Sequence, residues 1–454
     1  MSPRRRSPQR VAGLVLVGGL ALAACGSAGA DDSADSADSA AAADVAESGS
    51  SDGSDSSGAT ESDEGGSSEG AGFDEVPAAA IDVVAYSESA AVVVGTEQID
   101  PTAPDVSVSG LRTWNSPTDE LPPPTIDLGV LRSGGPPPDG IPSIDEPVFH
   151  DGSTVDYLAP TDPVVALEIN GDARAYPLDI MIWHEIVNDT VGGVPVSVAY
   201  CPLCNSVTVY ESDVDGQILE FGVSGLLYNS SLVMYDRQTE TLWSHFTGEP
   251  LYGELVDSEL VEIPATIVGF GTWLQENPDG LVLSRDTGFE RRYGANPYPG
   301  YDDVNSDPFL FEGDVDGRYT AMTRVVGVED DGDTAAFPLL ELREAGVVTT
   351  DLGGAPAAAF WVPGSTSALD GGNVSGGVDV GATGVFRPVV DGQTLTFESA
   401  GDGVITDVET GSTWNVFGEA IDGELAGSTL DQLTHIDTFW FAWIAFHPDS
   451  TVAV

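Results

Sequence analysis

Cys201-Pro202-Leu203-Cys204 sets two thiols three residues apart in a chain that holds only three cysteines. Such a pair has three uses. It closes into a structural disulfide, it cycles between thiol and disulfide, or its thiolates hold a soft metal. A thioredoxin-type pair opens a helix, whose N-terminus lowers the first thiol's pKa. Here Asn205 to Tyr210 alternates as a strand does, so the motif reads as a strand–turn–strand knuckle. Two histidines widen the metal reading: His184 in Trp183-His184-Glu185 and His245 in Trp243-Ser244-His245. Imidazoles beside two thiolates make a site for copper before zinc. The expected ligands are therefore Cys201, Cys204, His184 and His245, with Glu185, Asn188 and Tyr228 as hydrogen-bonding supports behind them. The plainer readings are a buried structural His184, a surface His245, ordinary turn residues at Asn188-Asp189 and a small disulfide loop. Met234 is a thioether that reads as core, His447 sits in an aromatic cluster, and His150 and His435 have no evident partner.

The elements that must position these residues come as a repeat. Val164-Val165-Ala166-Leu167-Glu168, Gly171-Asp172 and Ala175-Tyr176-Pro177-Leu178 return, 161 residues later, as Val325-Val326-Gly327-Val328-Glu329, Gly332-Asp333 and Ala336-Phe337-Pro338-Leu339. Further on, Asp236 to Thr239 with Trp243 matches Asp407 to Thr410 with Trp414. Each copy reads as short strands, with Asn170-Gly171 as a hairpin turn and one helix expected over Leu178 to Val187. The fold class is all-β to α+β, two tandem copies of a β-rich unit. The second copy has Ala345, Val362 and Val416 where the first has His184, Cys201 and His245. The scaffold pattern returns without the reactive side chains, which assigns the chemistry to the first copy.

Ahead of the repeat stands a different kind of sequence. Arg4, Arg5, Arg6 and Arg10 precede an apolar run ending in Leu22-Ala23-Ala24-Cys25-Gly26, a lipobox-like signal that predicts acylation of Cys25. Residues 25–76 are Ser, Asp, Gly and Ala with 14 acidic residues, too polar to bury a core, and read as a disordered tether. The expected layout is signal peptide 1–24, tether 25–76, N-terminal extension 77–145, first copy 146–310 and degenerate second copy 311–454. The expected location is the outer face of the cell membrane, reached through the lipid alone. A net charge of −59, with arginine as the sole basic residue type, excludes nucleic acid as a partner. A small-molecule or protein partner stays open. Phosphate loops, zincin motifs and nucleophile elbows are missing.

Several longer stretches resemble a known family. Ala175-Tyr176-Pro177-Leu178, Trp183 to Asp189, Tyr200-Cys201-Pro202-Leu203-Cys204, Phe221 to Tyr228 and Met234-Tyr235-Asp236-Arg237 look like the bacterial and archaeal domain-of-unknown-function family 3179, over residues 145 to the C-terminus. The resemblance implies an exported protein and brings no established activity. His184, Cys201 and Cys204 fit the family pattern, whereas His245 stands where that pattern has Gln.

Overall fold

The computed structural model describes residues 111–115 and 121–454. The expected signal, Cys25 and the tether lie outside these residues. Strand and turn dominate, and four helices of seven residues each punctuate the two copies. Among the described residues no helix is long and apolar enough to cross a membrane.

The apolar run Pro163–Ile169 is a strand because its side chains are buried on both faces; it turns at Asn170-Gly171 into Asp172–Pro177. Asn170 and Gly171 both take positive φ, 53° and 79°, as the tight hairpin requires, and Asp331 and Gly332 do the same in the second copy. The strand pair leads through Pro177 into helix Leu178–His184, which buries Leu178, Ile180, Met181 and Ile182. The expected helix to Val187 stops three residues early. Glu185 leaves the helix at φ 59°, and Ile186–Val191 is already a strand paired with Val194–Cys201.

These elements return with a constant offset. Pro163–Ile169, Asp172–Pro177, Leu178–His184, Ile186–Val191 and Val194–Cys201 recur 161 residues later as Arg324–Asp330, Asp333–Pro338, Leu339–Ala345, Val347–Leu352 and Ala355–Val362. The next strand is Ser206–Glu211 in copy one and Ala382–Arg387 in copy two, 176 residues on. The jump falls at the cysteine turn: residues 202–205 join the two strands in copy one, and residues 363–381 join them in copy two. That longer loop braces the first copy, with Thr366 N–H donating to Thr161 O at 2.9 Å and Asn296 N–H donating to Gly372 O at 3.1 Å.

Four sheets of copy one have counterparts in copy two: one around Pro163–Ile169, one around Val194–Cys201, one around Ser231–Asp236, and the hairpin Asp213–Val214 with Gln217–Ile218, matched by Val389–Val390 with Gln393–Thr394. The copies meet reciprocally. Strand Ser206–Glu211 packs on His435–Phe439, and Ala382–Arg387 packs on the equivalent Thr266–Gly269. A single core therefore runs through both, from Val165, Tyr176 and Met181 to Val325, Phe439 and Trp443. One polar device is shared. The buried Asp236 carboxylate accepts from Thr239 N–H and Oγ1, Thr241 N–H and Trp243 Nε1. Asp407 repeats this with Thr410, Ser412 and Trp414. A carboxylate satisfied by four donors pins a turn to an indole, so its reappearance in both copies is architectural.

Candidate functional site

The cysteine turn closes strand Val194–Cys201 and opens Ser206–Glu211, as a knuckle should. Its backbone is held from outside. Tyr301 Oη donates to Leu203 O at 2.9 Å, and Thr438 Oγ1 of copy two donates to Cys204 O at 2.7 Å. Asn205, at φ 50°, completes the turn with its N–H on Pro202 O at 3.2 Å. Both thiols are free and buried.

Their surroundings differ. Cys201 Sγ accepts from Leu232 N–H at 3.4 Å. Cys204 Sγ lies 2.9 Å from Ser206 Oγ and 3.5 Å from Ser231 Oγ. Burial pushes Cys201 well above its ordinary pKa, and the hydrogen bond and charge of Cys204 push it further. Burial also raises Cys204, but hydrogen bonds from Cys201, Ser206 and Ser231 outweigh it and leave that thiol below the usual value. The pair therefore divides into a proton-holding sulfur and a thiolate-forming one.

Behind Ser206 stands His245. Its Nε2 is 2.8 Å from Ser206 Oγ and 3.2 Å from Ser206 O, and its Nδ1 is 3.1 Å from Thr208 Oγ1. Burial lowers its pKa to about 3, so the ring is neutral. A carbonyl can only accept, so a proton on Nε2 satisfies both Ser206 contacts and frees the Ser206 hydroxyl to donate to Cys204. The result is a donor chain, His245 to Ser206 to the Cys204 sulfur. His245 is a buried residue rather than a surface one, and it reaches the sulfur through a hydroxyl rather than through a shared metal.

His184 does not join the sulfurs. Its Nδ1 donates to Pro142 O at 2.7 Å, and its Nε2 accepts from Tyr293 Oη at 2.7 Å, with Thr287 Oγ1 on the far side of that phenol at 2.5 Å. Both nitrogens are occupied, and burial lowers the ring's pKa to about 4. The lone pair expected for a metal is thus spent on a tyrosine. Among the described residues no three His, Cys, Asp or Glu side chains come together as a metal site. The Cys201–Cys204–His184–His245 ligand set is therefore not assembled.

The expected supports also go elsewhere. Asn188 Nδ2 donates to Asp145 Oδ1 and Phe221 O, each at 2.8 Å, and its Oδ1 accepts from Phe221 N–H, which ties strands together. Tyr228 packs edge-on against Phe446. Met234 is core, paired across strands with Trp243. Only Glu185 stays at the thiols. Its carbonyl accepts from Tyr200 N–H at 2.7 Å, which sets it beside the end of the strand that carries Cys201. Its side chain is 7% exposed and has no hydrogen-bond or ion-pair partner among the described residues. Burial, and next the charge of Cys201, hold its carboxyl well above the ordinary range.

Glu185 lines a pocket of about 100 Å³ walled by Leu203, Leu232, Pro136, Tyr298 and Phe309. Gly225 lets the N-terminal extension close one wall: at φ 79°, a Cβ there would lie 1.9 Å from Pro136 O. One side of the pocket is formed by the bulged strand before the Tyr228-to-Ser231 turn and by Leu232 after it. Ser206 and Thr208 were not expected. Their signal was available in the repeat, since Ala382 and Gly384 take their places where Val416 replaces His245.

Fold and site together define a two-copy β-rich protein in which one copy carries a buried dithiol beside a small pocket and the other holds no cysteine. The family model described as "Protein of unknown function (DUF3179)" matches residues 138–450, and the chain belongs to this family. No curated protein and no solved structure matches the chain.

Proposed function

We propose that the protein is a lipid-anchored, extracytoplasmic thiol–disulfide redox protein whose working pair is Cys201 and Cys204. The observation that carries this reading is the donor chain from His245 through Ser206 to Cys204, which favours one thiolate of a contacting pair and has no counterpart in copy two. A disulfide that only braced the fold would need no such device. The Leu22-Ala23-Ala24-Cys25 signal supports the anchor.

In the reaction the Cys204 thiolate attacks one sulfur of a partner disulfide, and the other partner sulfur leaves as a thiolate. The Cys201 thiolate then attacks Cys204 Sγ and expels the second partner sulfur. Two electrons pass to the partner, which ends as two thiols carrying the two cysteine protons. With both sulfurs buried, exchange with bulky disulfides is slow and is best read at equilibrium.

The test is thiol counting across a series of redox buffers, beside metal analysis of the reduced protein. A reversible two-electron transition above about −300 mV is expected. A potential below that marks a structural disulfide and removes the proposal. Stoichiometric copper or zinc on the wild type, lost in the Cys201→Ser/Cys204→Ser variant, would put the metal reading in its place.

A further inference from the structure

Among the described residues, Glu185 is the only ionisable acid or base on the pocket wall apart from the Tyr298 phenol, and three features of it do not follow from folding. Its side chain is 7% exposed, faces the pocket and makes no hydrogen bond or ion pair with a described residue, so the fold supplies no partner for an acid it nevertheless keeps there. Its backbone sits at φ 59°, ψ −30°, a region that L-residues with a side chain avoid. The repeat supplies the relaxed solution: Gly346, at φ 71°, ψ −31°, makes the same helix exit, with its N–H on Leu342 O just as Glu185 N–H is on Met181 O. A glycine would serve the fold better at position 185, so the side chain is retained for what it meets in the pocket.

The pocket's chemistry narrows the occupant. Among the described residues no arginine or histidine lines it. Its walls are aliphatic and proline surface with two aromatic rings, Tyr298 and Phe309. A lone carboxylate among aromatic faces suits a cation with an apolar body, because the charge pairs with the acid while the rings attract the same charge. A chain of net charge −59 also concentrates cations around itself. We propose that this pocket binds a small organic ammonium ion, apolar in body, whose N–H groups meet the Glu185 carboxylate. The site does not require the neighbouring thiols to cycle, so it stands or falls independently of the redox reading.

Benzylamine is the probe, with benzyl alcohol and benzoate as isosteric controls. Binding to the full chain is measured calorimetrically at about 0.5 M salt, where surface charge is largely screened. One site is expected for benzylamine, with benzyl alcohol weaker by about tenfold or more and benzoate silent. Glu185→Gln keeps the shape and removes the charge, and should weaken benzylamine by about tenfold or more. Glu185→Gly should lose the binding to the same extent while raising the melting temperature. The proposal is overturned if the wild type does not bind benzylamine, if Glu185→Gln binds it equally well, or if benzyl alcohol matches it. A lower melting temperature for Glu185→Gly would also end it, because the carboxyl would then be holding up the fold.

Discussion

The two copies use the same backbone for opposite ends. In copy two the positions around the equivalent strands are Ala382, Gly384 and Val416, and Val416 and Ala382 are simply core. In copy one the same places hold Ser206, Thr208 and His245, a buried polar chain ending on a sulfur. At the helix exit, copy two has the glycine that the geometry favours and copy one has an acid. The Asp–Thr–Trp turn, in contrast, is buried, polar and hydrogen-bonded alike in both. Polar groups shared by the copies therefore serve architecture. Those confined to one copy were kept at an energetic cost, which points to chemistry.

That division can be broken most sharply at the shared turn. Asp236→Ala and Asp407→Ala each strand two backbone N–H groups, a threonine hydroxyl and an indole N–H. Losing charge-assisted bonds while burying their donors should destabilise either variant by about 4 kcal/mol in urea unfolding. Near-equal losses are expected. A loss confined to one copy would show that the turn is not common architecture.

A second difference lies in pH. His245 titrates near 3 in the fold, against about 6.5 when exposed. Above pH 6.5 the ring is neutral in both states and exacts no penalty. Below it the unfolded chain gains a proton that the folded ring refuses, so stability falls with pH until the folded pKa is reached. By pH 4 this amounts to about 3 kcal/mol for the one ring. His245→Val, the residue of copy two, should be less stable than wild type at neutral pH and should gain on it by that amount between pH 6.5 and 4. Parallel stability curves for the two proteins would mean that the ring is not held neutral.

The helix exits offer a test of sign. Gly346→Ala adds a Cβ at positive φ, 2.3 Å from Ser399 Oγ, and should cost about 2 kcal/mol. Glu185→Gly at the equivalent position should gain about 1 kcal/mol. Thermal unfolding of both variants decides it, and equal signs would erase the distinction between a scaffold position and a working one.

Much of this comparison was legible in the sequence. The repeat offset, the knuckle and the strand identities all follow from local pattern, because hairpin turns and alternating apolar residues fix those elements within a few residues. The helix end was not legible from copy one alone: Leu178, Met181, Ile182 and Ile186 keep helical spacing past the point where Glu185 breaks it. Gly346 carried that signal in the other copy. The destination of His184 was hidden for a different reason. Its partners, Pro142 and Tyr293, lie 42 and 109 residues away, and no spacing rule reports a contact made by loops over such separations. The pocket was hidden likewise, since part of its wall comes from the extension ahead of the repeat.

The variant closest to the chemistry should change the stability of the fold least. Ser206→Ala removes the hydroxyl between His245 and Cys204 and turns the position into the alanine that copy two has at 382. The fold already accommodates that residue, so stability should move little. The sulfur loses one donor to its thiolate, a bond worth about 1.4 kcal/mol, or one pKa unit. Thiolate absorbance followed against pH should show the lower titration of the pair rising by about that amount, with the upper one nearly unmoved. His245→Val should reproduce the shift only in part, because Ser206 can still donate without its ring partner. If Ser206→Ala left the lower titration in place, the neighbouring Ser231 or Cys201 would be sufficient to favour the thiolate. The contrast between the copies at this strand would then concern packing rather than proton affinity.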